Sequence, residues 1–380
     1  MKKTSVLMGL VGLVAIAGGL TSCGGDKTSE GGNTEKGAEI AVVTDVGLLK
    51  DGGFNEGTYN GAVEFATSAK KTYQYYQPAN GADATDNDRI AAMETAIKNN
   101  AKVIVAPGYL QAAAMTKVAS ENTEVKFIFV DGWTLTDDKN NVLNNVTAIT
   151  YKEQESGFLA GYGAVKEGYT KLGGCFGGGG SNPACNRYAY GYVQGINAAA
   201  AELSKHVETK ISYKFGENFG ASTALATQMD GWYAAGTEVV FSCGGSMVNS
   251  VITAAAKTEK GKVIGVDTDQ ASLSDRVLTS AQKGLAVSVK TVLTQIYNNE
   301  WDSKLGGKTQ NLGAAEDATG LPTAKDSWRF TKFTTEEYNT IFTKIKTGAL
   351  TPDATVAENC NDQAFWNKDT FTNVTVTLEK

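Results

Sequence analysis

Residues 41–55 read Ala-Val-Val-Thr-Asp-Val-Gly-Leu-Leu-Lys-Asp-Gly-Gly-Phe-Asn and lead into an alanine-rich helical stretch. An apolar run that ends in Asp, continues into a glycine-rich loop and enters a helix is typical of the first strand–loop–helix unit of an open α/β sheet. Such sheets bind ligands beyond the carboxyl ends of their strands, where loops present polar groups on a rigid scaffold. The loop from Asp45 to Asn55 is therefore the first candidate site.

The composition indicates a folded protein with a sizeable core. Of 380 residues, 42% are hydrophobic and 20% are charged, which is sufficient for more than one lobe. The formal net charge is −6, and no block of Lys and Arg is large enough to neutralise several phosphates. We therefore expect no nucleic-acid partner.

The N-terminus has the pattern of an export signal. Residues 1–22 combine a basic start with an apolar centre that is too short and too rich in glycine for a membrane span. Leu20-Thr21-Ser22-Cys23 resembles a bacterial lipobox, in which Cys23 is lipidated; the alternative is an ordinary cleaved signal with a chance Cys. Residues 23–37 are predicted to form a flexible tether. We expect an exported protein, lipid-anchored on the outer face of the cytoplasmic membrane or in the periplasm.

Short apolar runs alternate with helical patterns along the rest of the chain. The runs lie at residues 39–46, 103–106, 127–130, 146–150, 172–176, 211–215, 239–242 and 263–266. This alternation predicts βαβ units and largely parallel sheets. Residues 86–98 predict a surface helix, with apolar side chains on one face and Asp in the first turn.

A single parallel sheet rarely holds so many strands, so we predict two lobes. The first comprises residues 38–147 plus about 270–330, and the second comprises residues 148–269 plus about 331–380. Chains that cross between two α/β lobes bind small molecules in the cleft and close over them by hinge motion. The predicted architecture therefore suits a receptor.

Carboxylates follow three of the predicted strands. Asp45 and Asp131 each end one apolar run, and Asp267 and Asp269 follow another. A carboxylate accepts hydrogen bonds from ribose or sugar hydroxyls, or from the N–H groups of a base. The pair Gly244-Gly245, at a further strand end, lets the backbone approach a ligand closely. Helix capping is the alternative for any one Asp, but three strand ends together favour a binding site.

The same carboxylates could suggest a metal site or an acid–base pair, but other signs of catalysis are few. The only histidine, His206, lies at a predicted helix end, and the chain has no HExxH, CxxC, GxSxG or P-loop motif. We therefore expect no catalytic residue, no metal and no cofactor.

Further side chains have two interpretations each. Phe54 and Phe219 lie in loops, where an aromatic ring either stacks on a flat ligand or plugs the lobe surface. Lys283 either donates to ligand hydroxyls or is a solvated charge. Cys175 and Cys185 lie ten positions apart around a glycine-rich loop, and an exported protein either joins them in a disulfide or leaves them as thiols.

Several motifs together resemble a known family. They are Asp45-Val46-Gly47, Phe54-Asn55-Glu56, Val130-Asp131, Asn186-Arg187-Tyr188, and Ile264-Gly265-Val266-Asp267-Thr268-Asp269-Gln270 with Thr279-Ser280 and Lys283 beyond it. The chain is similar to the basic membrane protein family of bacterial lipoproteins, the purine nucleoside receptors that serve as substrate-binding components of ABC transporters. The family usually has Ser where this chain has Gly53, which leaves the role of Asn55 open.

The resemblance implies a periplasmic-binding-protein fold of the first type, in which two mainly parallel sheets flanked by helices enclose a nucleoside. It also implies roles for side chains. Phe54 and Phe219 would stack on the purine, and Asp45 and Asp131 would bond its edge. Asp267, Lys283 and the Gly244-Gly245 backbone would hold the ribose.

We therefore expect a monomeric, lipid-anchored receptor that captures a nucleoside and delivers it to an ABC permease driven by a cytoplasmic ATPase. A receptor for a pentose, a hexose or another small polyol is the alternative within the same fold. An adhesin or antigen that binds a host macromolecule is an alternative of another class, and a hydrolytic enzyme is a third.

Overall fold

The computed structural model describes residues 37–46 and 48–380. The predicted signal segment, the lipidation site Cys23 and the tether up to residue 36 lie outside the described residues, as does Gly47. Within the described part of the chain, no helix combines the length and the apolar character needed to cross a membrane.

The first lobe is built on six parallel strands. In spatial order they are β11 (Thr309–Leu312), β5 (Val146–Tyr151), β4 (Lys126–Val130), β3 (Val103–Pro107), β1 (Ile40–Val43) and β2 (Tyr73–Tyr76). The helices of this lobe are α1 (Phe54–Ala69), α2 (Asp86–Lys98), α3 (Ala112–Glu121) and α8 (Leu285–Tyr297). The central strand β1 is fully buried because α1 and α8 pack on one face of the sheet and α2 and α3 pack on the other.

The second lobe is built on seven strands. In spatial order they are β12 (Thr319–Gly320), β10 (Val277–Lys283), β9 (Lys262–Asp267), β8 (Val239–Cys243), β6 (Lys171–Phe176), β7 (Val207–Ser212) and β13 (Val374–Leu378). All neighbours are parallel except β12 and β10. The helices are α4 (Glu153–Glu167), α5 (Pro183–Glu202), α6 (Thr223–Ala234), α7 (Met247–Ala255), α9 (Thr335–Lys346) and α10 (Gln363–Trp366).

The lobe boundaries differ from those predicted. Residues 148–151 end β5 and belong to the first lobe, while β10 and β12, expected in the first lobe, pair in the second. The chain crosses between the lobes after β5, after β10 and after β11. Parallel neighbours usually need a crossover of a dozen or more residues, commonly a helix. Because only residues 268–276 separate β9 from β10, the sequence suggested a change of lobe there.

The first turn of α4 is hydrogen-bonded to the segments in which the chain crosses between the lobes. The Ser156 hydroxyl donates to the Gln282 carbonyl at 2.7 Å and accepts from the Gly320 amide at 2.9 Å. The Glu155 carboxylate accepts from the Ala314 amide at 2.6 Å. One helical turn therefore ties together the segments that run between the lobes.

Helices α4 and α5 approach each other closely through small residues. Glycines line the contact on both helices: Gly157, Gly161, Gly191 and Gly195. A Cβ atom on Gly195 would lie only 2.0 Å from the Phe158 carbonyl oxygen, and one on Gly191 only 2.2 Å from the Gln154 carbonyl oxygen. Any side chain at these positions would have to push the two backbones apart.

We expect Gly195→Ala to lower the free energy of unfolding by about 1–3 kcal/mol, because overpacking forces the two helices to shift. The matched control is Gly231→Ala in α6, where an added Cβ would meet nothing within 4 Å. This control should be stabilising by up to about 1 kcal/mol through helix propensity. Urea denaturation followed by circular dichroism measures both variants, and equal stabilities would contradict the close helix contact.

Candidate functional site

A cavity of about 330 Å³ lies at the carboxyl ends of the strands and is lined from both lobes. Nine of the ten predicted ligand-binding residues line it: Asp45, Phe54, Asn55, Asp131, Phe219, Gly244, Gly245, Asp267 and Lys283. These residues come from six strand ends and their loops, because parallel strands present their carboxyl ends at one edge of a sheet.

Asp269 is the exception and needs a correction. Its side chain turns away from the cavity, where it accepts hydrogen bonds from the Ser327 hydroxyl and, at 3.1 Å, from the Ala271 amide. Asp269 therefore fastens the loop after β9 to a segment that follows β12. Only Thr268 separates it from Asp267, and the intervening turn directs the two carboxylates to different places.

Three site residues have a left-handed backbone. Their φ angles are 58° at Asp131, 65° at Asp267 and 60° at Phe219. Non-glycine residues rarely adopt this region, and a bulky aromatic residue there is an outlier. Such strain persists where the surrounding structure imposes it, and it clusters at functional sites.

Asp45 lies two residues beyond β1 and is held against the neighbouring strand end. Its Oδ1 accepts from the Val46 amide at 2.7 Å. A Cβ atom on Gly108, which has a φ of 101°, would lie 1.9 Å from Asp45 Oδ2, so only glycine fits there. Burial raises the pKa of Asp45 to about 6, although the bond from Val46 opposes this effect.

A buried charge network occupies the floor of the cavity. Lys283 Nζ lies 2.5 Å from Asp131 Oδ2, 3.4 Å from Glu153 Oε1 and 3.7 Å from Asp267 Oδ1. Arg187 Nε donates to Glu153 Oε2 at 2.6 Å. Because Asp131 belongs to the first lobe and Lys283 to the second, their ion pair bridges the cleft.

The pKa values of the charged groups in this network are strongly shifted. Burial raises the pKa of Asp267 to about 7, with Lys283 opposing the rise and Asp131 adding to it. Burial also raises the pKa of Asp131, again against the effect of Lys283. The three carboxylates around Lys283 outweigh its burial and raise its pKa well above the usual value. Lys283 is therefore a permanent cation at neutral pH.

Aromatic rings complete the surroundings of Lys283. Its ammonium lies 5.0 Å from the ring centre of Phe54, 5.5 Å from that of Tyr151 and 5.6 Å from that of Tyr188. The side chain is only 3% exposed. Lys283 is thus not the solvated surface charge of the alternative interpretation.

Phe54 and Phe219 face the cavity from opposite lobes. Phe54 is the first residue of α1, and Phe219 lies in the loop between β7 and α6. Glycines back the Phe219 ring, since a Cβ on Gly177 would lie 2.3 Å from it and one on Gly244 3.1 Å. The glycine-rich loop after β6 and the Gly244-Gly245 pair therefore seat this ring.

Two buried acceptors at the cavity have no hydrogen-bond partner within the described residues, Asn55 Oδ1 and Asp131 Oδ1. Leaving a buried acceptor unsatisfied costs free energy. A ligand that donates hydrogen bonds would satisfy both atoms.

The sequence analysis missed several lining residues, among them Asp51, Tyr109, Asn182, Cys185, Tyr188 and Asn249. Asp51 accepts from the backbone amides of Gly53, Asn55 and Glu56 and so caps the start of α1. A carboxylate just ahead of a helix was the available signal for it. Tyr188 donates to the Ala281 carbonyl at 3.2 Å and lies 3.5 Å from Asp267 Oδ1. The only sequence signal for Tyr188 was its place in Asn186-Arg187-Tyr188, one of the motifs of the family resemblance.

The proposed disulfide between Cys175 and Cys185 is not formed, and both side chains are buried thiols. Cys175 packs with α6 and α7, whereas Cys185 packs in the cluster of α4 and α5. The sheet separates these clusters, because successive residues of a strand point to opposite faces. Within residues 37–46 and 48–380, no group of three or more His, Cys, Asp or Glu side chains is arranged to hold a metal ion.

A sequence model of the family described as "ABC transporter substrate-binding protein PnrA-like" matches residues 38–350. The chain belongs to this family. Membership implies a small-molecule ligand, a permease partner and a location outside the cytoplasm. The predicted relationship to the basic membrane protein family is thereby confirmed.

Named relatives agree with this membership. The nucleoside-binding protein BmpA of an ABC transporter of Lactococcus lactis subsp. cremoris is 28% identical over 332 residues, which cover 81% of this chain and 88% of that protein. Basic membrane protein D of Borreliella burgdorferi is 30% identical over 282 residues, which cover 73% and 78%.

Solved structures share the fold. A solute-binding protein of an ABC transporter system from Aeropyrum pernix aligns with a TM-score of 0.63 at 21% identity, covering 83% of this chain and 87% of that one. A solute-binding protein from Conexibacter woesei aligns with a TM-score of 0.62 at 17% identity, covering 84% and 100%. The predicted two-lobe α/β architecture of a periplasmic binding protein is confirmed.

Proposed function

We propose that this protein captures a purine nucleoside in the cleft and releases it unchanged to its permease. The observation that carries this proposal is one cavity that combines two aromatic rings from opposite lobes with strand-end carboxylates from both lobes. Its volume of about 330 Å³ suits a small ligand. The family and the name of the Lactococcus relative support the same ligand class.

The aromatic side chains suit a flat base. A purine placed between Phe54 and Phe219 would gain roughly 1–3 kcal/mol for each stacked face. Asp45, on the first lobe, would accept from N–H groups at the edge of the base, and the unsatisfied Asn55 Oδ1 is a further acceptor. A sugar without a base would use neither ring fully.

The charges suit a neutral ligand with hydroxyl donors. Asp267 would accept from ribose hydroxyls and Asp131 from the edge of the base, and Lys283 balances their charge. The cavity lining holds four carboxylates (Asp45, Asp51, Asp131 and Asp267) against two lysines, Lys50 and Lys283. A phosphate group would meet this negative excess, so we expect nucleoside monophosphates to bind more weakly than nucleosides.

The N-terminal predictions complete the proposal. Lipidation of Cys23 would hold the protein at the membrane surface, since each buried methylene contributes about 0.8 kcal/mol. The tether would let the receptor, working as a monomer, reach a permease driven by a cytoplasmic ATPase. No covalent step is part of this function.

A thermal-shift screen of the protein without its signal segment tests the ligand class. Adenosine, guanosine and inosine should raise the melting temperature, since a ligand at a hundred times its Kd stabilises by about 2.7 kcal/mol. Ribose alone should give no shift, and the monophosphates a smaller one. A shift with pentoses or hexoses only would favour the polyol receptor, and no shift with any compound would favour the adhesin.

Phe219→Ala tests the stacked ring. We expect it to weaken nucleoside binding by roughly 5- to 100-fold, because one stacking face is lost. The matched control is Phe215→Ala, which removes a 38%-exposed ring in the same loop that does not line the cavity. Titration calorimetry should show near-normal affinity for the control, and equal losses in both variants would argue against stacking at Phe219.

A further inference from the structure

Glu153 is a buried carboxylate that the proposed ligand contacts do not use. Of the three carboxylates around Lys283, Asp131 and Asp267 line the cavity, whereas Glu153 does not. Glu153 is the first residue of α4, and its side chain is fully buried. A buried charge is destabilising unless it is paired, so the burial of the Glu153 carboxylate indicates a specific role.

We propose that Glu153 is a positioning residue of the ligand site, whose charge holds the Lys283 ammonium between Asp131 and Asp267 and whose bond to Arg187 anchors the network to α5. It lies 3.4 Å from Lys283 Nζ through Oε1 and accepts from Arg187 Nε at 2.6 Å through Oε2. Oε2 is thus hydrogen-bonded to Arg187, whereas Oε1 makes no hydrogen bond within the described residues and has only the ion pair with Lys283, outside the cavity lining.

Glu153 lies in the helical turn that is hydrogen-bonded to the chain crossings between the lobes. Glu155 and Ser156, in the same helical turn, bind the chain segments that cross between the lobes. Lys283 itself ends β10, directly before one of these crossings. The Lys283 charge, which faces Asp131 and Asp267, therefore lies next to the segments that connect the two lobes and about which they close.

The charge of Glu153 also acts on the ligand carboxylates. The charged and titratable groups that face Asp131 and Asp267 are Lys283 on β10, Glu153 on α4, Arg187 and Tyr188 on α5, Tyr151 on β5, Cys243 on β8 and Asp51 ahead of α1. Among them, Glu153 raises the pKa of both carboxyl groups, whereas Arg187 lowers that of Asp131. With Lys283 in place, loss of the Glu153 charge would lower the pKa of Asp131 and Asp267, whereas release of Lys283 would raise the pKa of both groups.

Titration of the ligand-free protein tests this role directly. With 13C-labelled aspartate, the carboxyl signals of Asp131 and Asp267 are followed by NMR against pH and assigned with Asp131→Asn and Asp267→Asn. We expect Glu153→Gln to raise both midpoints, because a displaced Lys283 no longer lowers them, and Arg187→Gln to raise that of Asp131. Glu153→Asp keeps the charge and should restore the wild-type midpoints to within about half a pH unit.

A fall in both midpoints of Glu153→Gln, or no change, would overturn the proposal, because with Lys283 still in place the loss of the Glu153 charge only removes a repulsion. Should Glu153→Gln fail to fold, the rise in Arg187→Gln together with wild-type midpoints in Glu153→Asp supports it, and their absence contradicts it. The place of Glu153 in a ligand site rests on the proposed nucleoside function. A wild-type protein that binds no nucleoside would refute that function while the titration still decides the role of Glu153.

Discussion

Lys283→Met should lower the free energy of unfolding by about 3–5 kcal/mol at pH 8, because it leaves three carboxylates in a buried site without their shared cation. Methionine keeps much of the length and volume of the lysine side chain but has no ammonium to place near the rings of Phe54, Tyr151 and Tyr188. The loss therefore reports the missing charge rather than a cavity. Urea denaturation at a series of pH values measures it.

The destabilisation caused by Lys283→Met should increase with pH. Lys283 lowers the pKa of Asp131 and Asp267 in the wild type, so its removal raises both further above their unfolded values. A carboxyl group with a raised folded pKa destabilises the fold progressively as the pH rises from its unfolded pKa through its folded pKa. The deficit of Lys283→Met should thus be smallest near pH 5 and largest near pH 8.

The matched control is Lys290→Met, which removes an exposed lysine that pairs with Glu64 at 3.4 Å. Exposed ion pairs contribute little, so we expect a change within about 0.5 kcal/mol at every pH. Equal losses in Lys283→Met and Lys290→Met would contradict a buried network in which Lys283 is the central cation.

Asp267→Asn should weaken nucleoside binding by roughly 10- to 100-fold at pH 8, because hydrogen bonds to a charged acceptor contribute about 1.5–3 kcal/mol. Asparagine preserves the shape of the side chain, so the loss reports its charge. The control is Asp269→Asn, which alters the neighbouring carboxylate that binds Ser327 outside the cavity. Titration calorimetry should show near-normal affinity for the control, and the reverse order would refute the assignment of Asp267.

Wild-type affinity should rise with pH from 5.5 to 8. Hydroxyl donors of the ribose favour the ionised form of Asp267, whose pKa is about 7, and N–H donors of the base favour that of Asp45, whose pKa is about 6. Below its pKa, each carboxyl group must lose a proton before it can accept from the ligand, which costs up to tenfold per pH unit. Asp267→Asn should flatten the upper part of this profile, and an unchanged profile would assign the titration to another group.

Local patterns carried much of the fold prediction. The helix predicted at residues 86–98 is α2, with the same limits, since its Thr85 and Asp88 form a capping box and its apolar face packs on the sheet. Seven interior strands also begin within one residue of their predicted starts, namely β1, β3, β4, β5, β6, β8 and β9. Strands buried on both faces read as continuous apolar runs.

The edge strands β2 and β13 were not predicted from the sequence. β13 is half-exposed and alternates buried and exposed residues, and β2 consists of partly buried Tyr and Gln. Their pairing with β7 and β1 depends on neighbours that lie far away along the chain. The strand predicted at 211–215 ends at Ser212 instead, and Phe215 adopts a left-handed φ of 62° in the following loop.

Local residue order and shared motifs are enough to predict the alternation of strands and helices, the carboxylates at strand ends and the resemblance to a receptor family. Which charges meet depends on the three-dimensional fold. Asp131 and Lys283 are 152 residues apart, and Asp269 leaves the cavity for Ser327 while Asp267 stays. The reason is physical: burial of a charge is tolerated only where the folded backbone supplies a partner, and no local pattern specifies that partner.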